Sequence, residues 1–469
     1  MMTPFARPVA ALTGLALVAL GVWRGLDCPT GTAGPPAPSA GLAQVTIYDP
    51  DPQHLWNRLH RALWVRTGRD GKEYGHDRLD PLLWSETKHL LQGNSHEQAV
   101  AVLDEFLAEH GEKLVKDPLK RAILQRDLWA VFDWAAEPSA NTQEARLQRS
   151  PPPRRALQAR LARSIQRLAL TADEIKGLAD NYALAVASRA FPEQQDPGDR
   201  ERPFLPPDLF QQDGAWVEIQ TDNASRVAVS RHVHDFGARS AFRVFLRFPE
   251  GRKATVAYFV KLRDFARPWV FTREPGQKQD TLVLSPELPQ FLAGTRAALV
   301  RQMLLIDKDG GIATTRVTES VQIRVFRAIP KRLTGSGRRR DTPSEQDFYE
   351  FTRSRALLFT GKAGGLRPLQ RSNKDFSTQL LVLPHDEFEL QDNVSFERRM
   401  TQPLRSCLGC HDRPGIYSFR TYVGGVYPHG RNYLPDLQEN HDPDTEGRLS
   451  GMRKREQCSW GLLQGLWAD

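Results

Sequence analysis

The chain is predicted to be α+β and multidomain, with an N-terminal helical domain, a middle antiparallel β-rich domain of sandwich-like type, and a C-terminal mixed segment. Three observations carry this. Apolar residues recur at three- and four-residue spacing through residues 52–190, the period changes to two beyond a Pro- and charge-rich joint at 196–207, and a basic glycine-containing stretch at 331–340 (KRLTGSGRRR) follows the strands. A length of 469 residues suits roughly two to four domains. With 40% hydrophobic and 26% charged residues the composition is globular. A net charge of +8 is small for this length and is no nucleic-acid footprint. Four cysteines exclude a dense disulfide scaffold.

Residues 1–43 read as an export signal or anchor plus a tether. Residues 9–23 (VAALTGLALVALGVW) carry no charge and lie between Arg7 and Arg24. Such a run suits a secretory apolar region and is short of the about 20 residues a spanning helix needs. The Pro/Gly/Ala-rich stretch at 28–40 cannot pack and reads as tether. Whether residues 9–23 are removed or kept as a membrane anchor, the reading is an exported chain, periplasmic or in the cell envelope. Leu26 and Asp27 before Cys28 do not fit a lipidation motif.

Within 44–195 the helices can be placed one by one. Leu55, Trp56, Leu59, Leu63 and Trp64 form an amphipathic stripe. Ser95 to Gln98 read as a capping box, with Gly111 expected at the helix end. Pro118 suits a first helical position, and Pro-rich 150–153 precedes a further helix through Leu157, Leu161, Ile165 and Leu168. Thr171 to Glu174 is a second capping box. Tryptophans 56, 64, 84, 129 and 134 read as core.

In 208–330, residues 215–221, 227–230 and 242–248 are expected as strands, with 255–260 returning as a hairpin partner. A second hairpin brackets Asp307-Lys308-Asp309-Gly310-Gly311, which reads as a turn because its glycine and acidic positions do not match a calcium loop. In 341–469, residues 348–358 are expected to be helical and 379–383 a strand.

The chemistry-bearing motif is RSCLGCHDRPG, residues 405–415, with Cys407, Cys410 and His411. Two thiols separated by two intervening residues can reach both vinyl groups of one porphyrin, and the adjacent imidazole can take the iron. The stretch resembles the haem-attachment motif of c-type cytochromes. That resemblance implies one covalently attached haem c, thioether bonds at Cys407 and Cys410, and His411 as proximal iron ligand. A single motif argues against the two-motif di-haem peroxidases. Zinc is the first competitor: it would need Cys458 and His429 or His441 beside the two thiols, at a spacing far longer than compact knuckles use. A redox dithiol wants a helix after the motif, which Pro414-Gly415 forbids.

The sixth iron position decides between carrier and enzyme. Met452 and His429 are candidate distal ligands, with Met400, His385 and His441 behind them, and an open site is the further alternative. Arg405, Arg413 and Arg420 flank the motif as candidate propionate partners or plain solvated surface. Arg231-His232-Val233-His234-Asp235 is expected on a strand, two imidazoles on one face, more an ordinary polar strand than a metal pair. The apolar stretch 460–467 is expected to dock on the haem segment, and Cys458 to be a free thiol or to bridge Cys28.

The functional expectation is electron transfer to or from an envelope redox partner protein, with no nucleic acid and with a membrane tether through the N-terminus as an option. One alternative is a haem enzyme acting on a peroxide or nitrogen oxide at an open iron site. The other is an envelope binding or scaffold protein in which the CxxCH holds zinc or staples a loop.

Overall fold

The computed structural model describes residues 46–136, 152–221, 228–267, 269–273, 279–329, 345–377, 385–391, 395–411, 413–419 and 437–468. The expectations for 1–43, 331–340, 379–383, Cys28, Arg420 and His429 lie outside the described residues.

The helical layer opens with α1 (Leu55–Trp64), whose stripe buries Leu55, Trp56, Leu59, Leu63 and Trp64 as its spacing requires. A short ribbon of β1 (Arg66–Thr67) and β2 (Glu73–Tyr74) follows. Helices α2 (Gly93–Ala108), α3 (Pro118–Ala136) and α4 (Pro152–Leu168) pack on one another. Pro118 is the first residue of α3. Ser95 does not cap α2; it lies inside the first turn, where its hydroxyl donates to the Gln92 carbonyl at 3.2 Å. Gly111 begins a 3-10 turn instead of ending α2. Helix α5 (Ala172–Lys176) does carry the expected capping box, Thr171 with Glu174, and α6 (Asn181–Ala187) follows.

Seven strands then form one antiparallel sheet. They are β3 (Val217–Thr221), β4 (Ser240–Arg247), β7 (Arg296–Ile306), β8 (Ile312–Phe326), β9 (Gln346–Arg353), β10 (Leu366–Pro368) and β11 (Leu437–Glu439), in the order β10-β9-β8-β7-β4-β3-β11. A separate ribbon pairs β5 (Trp269–Thr272) with β6 (Thr281–Leu284). Mixed helix and antiparallel sheet agree with the α+β expectation. Among the described residues, however, helices and loops rather than a second large sheet cover the seven strands. Because β9, β10 and β11 pair into the same sheet as β3, β4, β7 and β8, segments 208–330 and 341–469 share one framework, and residues from 45 onward form one compact unit.

Four local expectations change. Residues 230–235 form helix α7 (Ser230–Asp235), and 255–260 fall within helix α8 (Arg252–Arg263), not in strands. Thr255, Tyr258, Phe259 and Leu262 repeat at three and four residues and are buried, so the helical period wins there. Residues 346–353 extend as β9 before the short α9 (Arg355–Phe359), since pairing along β8 outweighs local propensity. Finally, α13 (Cys458–Ala468), which follows α10 (Phe396–Arg399), α11 (Pro403–His411) and α12 (Thr445–Arg455) in the chain, packs on α3 and α4. Trp460 meets Trp129 there, and the Trp467 indole donates to the Ala162 carbonyl at 2.8 Å.

The DKDGG turn joins β7 to β8 as expected, with the Asp307 carboxylate accepting from the amides of Asp309 and Gly311 and Gly310 at φ +77. The far end of this hairpin (Met303, Leu304, Leu305, Ile306, Val317) enters the helical core beside Trp56, Trp64 and Trp129. The sheet's two faces differ. One carries Phe245, Val300, Ile323 and Phe351 under Tyr182, Phe204 and Leu205. The other carries Val217, Val244 and Leu246 under α8 and residues 416–419.

At the junction of helices and sheet lies a buried ionic network. Asp80 faces Arg239 at 3.1 Å, Arg301 at 3.0 Å and Arg126 at 3.9 Å. Glu319 accepts from Arg301 at 2.9 Å and from the Ser240 hydroxyl at 2.6 Å. Burial pushes the Asp80 carboxyl up, but Arg301, Arg126 and Arg239 outweigh it and hold it well below the usual carboxylate range. The network fixes the start of β4 against α3.

Candidate functional site

Cys407, Cys410 and His411 lie in the last two turns of α11. Residues at i and i+4 share a helix face, so Cys407 and His411 stand on one side of the helix, while the Cys410 side chain lies outside the described residues. Pro403 starts the helix, and Pro414 stands beyond its end. The Gln346 side-chain amide donates to the His411 backbone carbonyl at 2.6 Å, satisfying one of the acceptors a helix C-terminus leaves over.

After Pro414 the chain turns through Gly415–Ser418, and Ile416, Tyr417 and Phe419 are buried in the core of the sheet face below. Tyr417 Oη donates to the Ser285 carbonyl at 3.0 Å, and Gln290 Oε1 accepts from the Ile416 amide at 2.7 Å. This anchored turn holds the imidazole: His411 Nδ1 donates to the Ser418 carbonyl at 2.8 Å. A carbonyl can only accept, so Nδ1 carries the proton in this bond. The Arg324 guanidinium donates to Ser418 Oγ at 2.8 Å from below.

Strand register builds the floor. Val244, Leu299, Gln322 and Glu350 lie in one cross-strand row, and Phe242, Arg301, Ser320 and Thr352 in the next. The Cys407 thiol lies 3.8 Å from Glu350 Oε2 and 3.7 Å from Gln322 Nε2. Burial pushes the Glu350 carboxyl up to about 7, against hydrogen bonds from Gln322 and Cys407. Burial likewise pushes Arg324 down to about 10, with Cys407 opposing. Leu299, Gln322, Arg324 and Glu350 sit mid-strand inside the sheet yet keep partial solvent contact, as do Cys407 and His411. These partly exposed positions lie on the sheet face beside the motif helix.

Cys407 and His411 are compatible with a porphyrin attached at the motif: they share a helix face, a backbone carbonyl holds Nδ1 of His411, and Gln322 and Glu350 stand beside the Cys407 thiol. Bound there, a haem c would supply one-electron redox chemistry; the chain's own part is to orient His411 and to shield one side of the group from water.

Other candidate residues lie elsewhere. Met452 is half-exposed on α12. Met400 packs against the cluster of Leu82, Trp84, Phe376 and Phe396. His385 and His441 sit on the surface beside Glu86 and Glu439. Arg405 and Arg413 are exposed. Cys458 is an exposed free thiol at the start of α13, against the helical layer. No group of three or more His, Cys, Asp or Glu able to hold a metal ion occurs among the described residues.

The His232–His234 pair is on helix α7, not a strand, so the two side chains diverge: His234 points to solvent, while His232 turns inward. His232 stacks on Phe242 with ring centroids 5.6 Å apart, and its ring lies 6.1 Å from that of His411, the planes within 7° of parallel. Burial pushes the His232 imidazole down to about 4, against the Asp235 carboxylate and with Arg301 and Arg324 adding to the effect. Arg324, Gln322 and Glu350 were not among the expected site residues, and His232 was expected in an ordinary polar strand. The alternation of Gln322 and Arg324 with Ile323 and Val325 was the one signal that β8 turns polar side chains to a common face.

No family model matches the chain, and no curated protein and no solved structure shows significant similarity to it.

Proposed function

We propose that the chain is an exported mono-haem c-type protein that carries electrons to or from a partner in the cell envelope. The observation that supports this most is the His411 imidazole, whose Nδ1 donates to the Ser418 carbonyl at 2.8 Å one helical turn from Cys407. A zinc site could use the same imidazole tautomer but would need further ligands beside the thiols. Residues 9–23 would direct the chain across the membrane or hold it there, and the sheet would support the motif helix.

The test is a reduced pyridine haemochrome spectrum of protein exported in the presence of cytochrome maturation machinery, beside a Cys407→Ala/Cys410→Ala variant. A c-type α-band that survives acid–acetone extraction and vanishes in the variant is expected. Folded, exported protein with no covalent haem would overturn the proposal.

A further inference from the structure

We infer that Arg324 binds a carboxylate: the Nε and Nη2 edge of its guanidinium takes the carboxylate of a molecule lying on the sheet face beside Cys407. That carboxylate is a propionate of the haem proposed above or belongs to a free small molecule, and only the first source rests on the c-type reading.

Four observations carry it. First, the guanidinium is committed at one end only. Its Nη1 donates to Ser418 Oγ at 2.8 Å. The Ser418 hydroxyl gives its own proton to the Gly415 carbonyl at 2.7 Å, so its oxygen is left to accept from Arg324. Second, no carboxylate answers the charge. Among the described residues none lies within ion-pair distance of Arg324, and none accepts from its Nε or Nη2. Glu350, the neighbour on β9 that pairs with Gln322 in register, is engaged by Gln322 and Cys407 instead.

Third, two other arginines show what the same edge does when it is filled. Arg243 on β4 clasps Glu218 through Nε at 2.8 Å and Nη2 at 2.6 Å. Arg355 clasps Asp127 through Nε at 3.0 Å and Nη2 at 2.6 Å. Two parallel N–H bonds on that edge match the two oxygens of one carboxylate. Burial presses the Arg355 guanidinium down, but Asp127 outweighs it and raises it above its ordinary value. Burial pushes Arg324 down to about 10, with only Cys407 opposing. A guanidinium drawn out of water with no counter-ion is costly, and a clasped carboxylate offsets that cost.

Fourth, the fork is both reachable and held. Arg324 keeps partial solvent contact. It stands two residues along β8 from Gln322, hence on the same face, and the Gln322 amide is 3.7 Å from the Cys407 sulfur. The rings of Phe419 and Phe326 lie 4.8 and 5.4 Å from the guanidinium carbon. Ser418 belongs to the turn anchored by Tyr417 and Ile416, so the donor edge is set before a ligand arrives. A carboxylate seated there orients the rest of its molecule relative to the motif helix.

The experiment uses the exported full chain with isotope-labelled arginine, made with and without cytochrome maturation machinery. Haem-bearing protein is kept reduced under carbon monoxide, so that the iron is diamagnetic. The Arg324 Nε–H resonance is identified by its absence from Arg324→Gln, or from Arg324→Lys where the first variant does not fold. The probe is sodium propionate, with sodium chloride at equal ionic strength as control. In haem-free protein the signal is expected to move downfield saturably with propionate and not with chloride. In haem-bearing protein, a signal already downfield, slow to exchange with water and unmoved by propionate assigns the carboxylate to the haem. A signal that still titrates with propionate assigns it to a free small molecule. A signal that exchanges fast and responds no more to propionate than to chloride, in both forms, overturns the inference and leaves a hydrated arginine. Absence of covalent haem removes the c-type reading alone, because the propionate titration of the haem-free chain still decides the Arg324 site.

Discussion

Asp80→Asn removes one negative charge from a site where three guanidiniums depend on it. Asp80 Oδ1 accepts from Arg239 Nη2 at 3.1 Å and Oδ2 from Arg301 Nη2 at 3.0 Å, with Arg126 at 3.9 Å. All four residues are buried, Arg126 fully. An asparagine of the same shape can accept on one side only, and its amide turns a donor toward a donor on the other. Glu319 and Asp133 would then be the nearby carboxylates balancing Arg126, Arg239 and Arg301. Breaking a buried pair by removing one partner typically costs about 3–5 kcal/mol, because the remaining charge is left desolvated. The three-way contact places Asp80→Asn in that range. Urea denaturation followed by far-UV circular dichroism measures it. Adding Arg301→Met, which removes a matching positive charge, should recover part of the loss as a coupling of roughly 1–3 kcal/mol. A single-variant loss below about 1 kcal/mol, or a double variant no better than the sum of its parts, would refute the view that these charges hold one another. The linkage has a sign. The folded-state pKa is depressed, so Asp80's contribution is present above about pH 4 and is lost as pH falls below it.

Two further substitutions test other parts of the structure. At Gly415, φ is +52 and a Cβ would overlap the Gln290 side chain, which two backbone amides hold in place; Gly415→Ala should cost about 1–3 kcal/mol in denaturant titrations and loosen the turn that fixes His411. Burial pushes the Glu446 carboxyl up to about 8, with Glu218 adding and the Ala228 amide opposing. Its folded pKa exceeds the unfolded one, so its burial is tolerated below about pH 4.5 and destabilises increasingly as pH rises through 8. Glu446→Gln should therefore gain stability over wild type by up to about 4 kcal/mol at pH 9 and much less at pH 5, and a gap that does not widen with pH would count against a buried, protonated Glu446.

Local pattern was enough for features that local chemistry decides. The stripe of α1, the capping box at Thr171, Pro118 at the start of α3 and the DKDGG hairpin all depend on residues within one or two turns of each other. Residues 255–260 and 346–353 each fit both periods over a short window, so local pattern does not decide them. What settled them was pairing: β8 offers β9 a full ladder, whereas Tyr258, Phe259 and Leu262 had a sheet face to cover.

The sequence by itself determined that two thiols and an imidazole stand within five residues of one another, which is a local property. It could not say what stands opposite them. Only the tertiary structure brought β8 and β9 under Cys407, set the Ser418 carbonyl against His411 Nδ1, and turned His232 toward His411. His232 and His411 are 179 residues apart, and their meeting depends on sheet register and on the cap that ends α7. The physical reason is range: helical period and capping act over a few residues, whereas a site assembled across strands is fixed by packing that no local window contains.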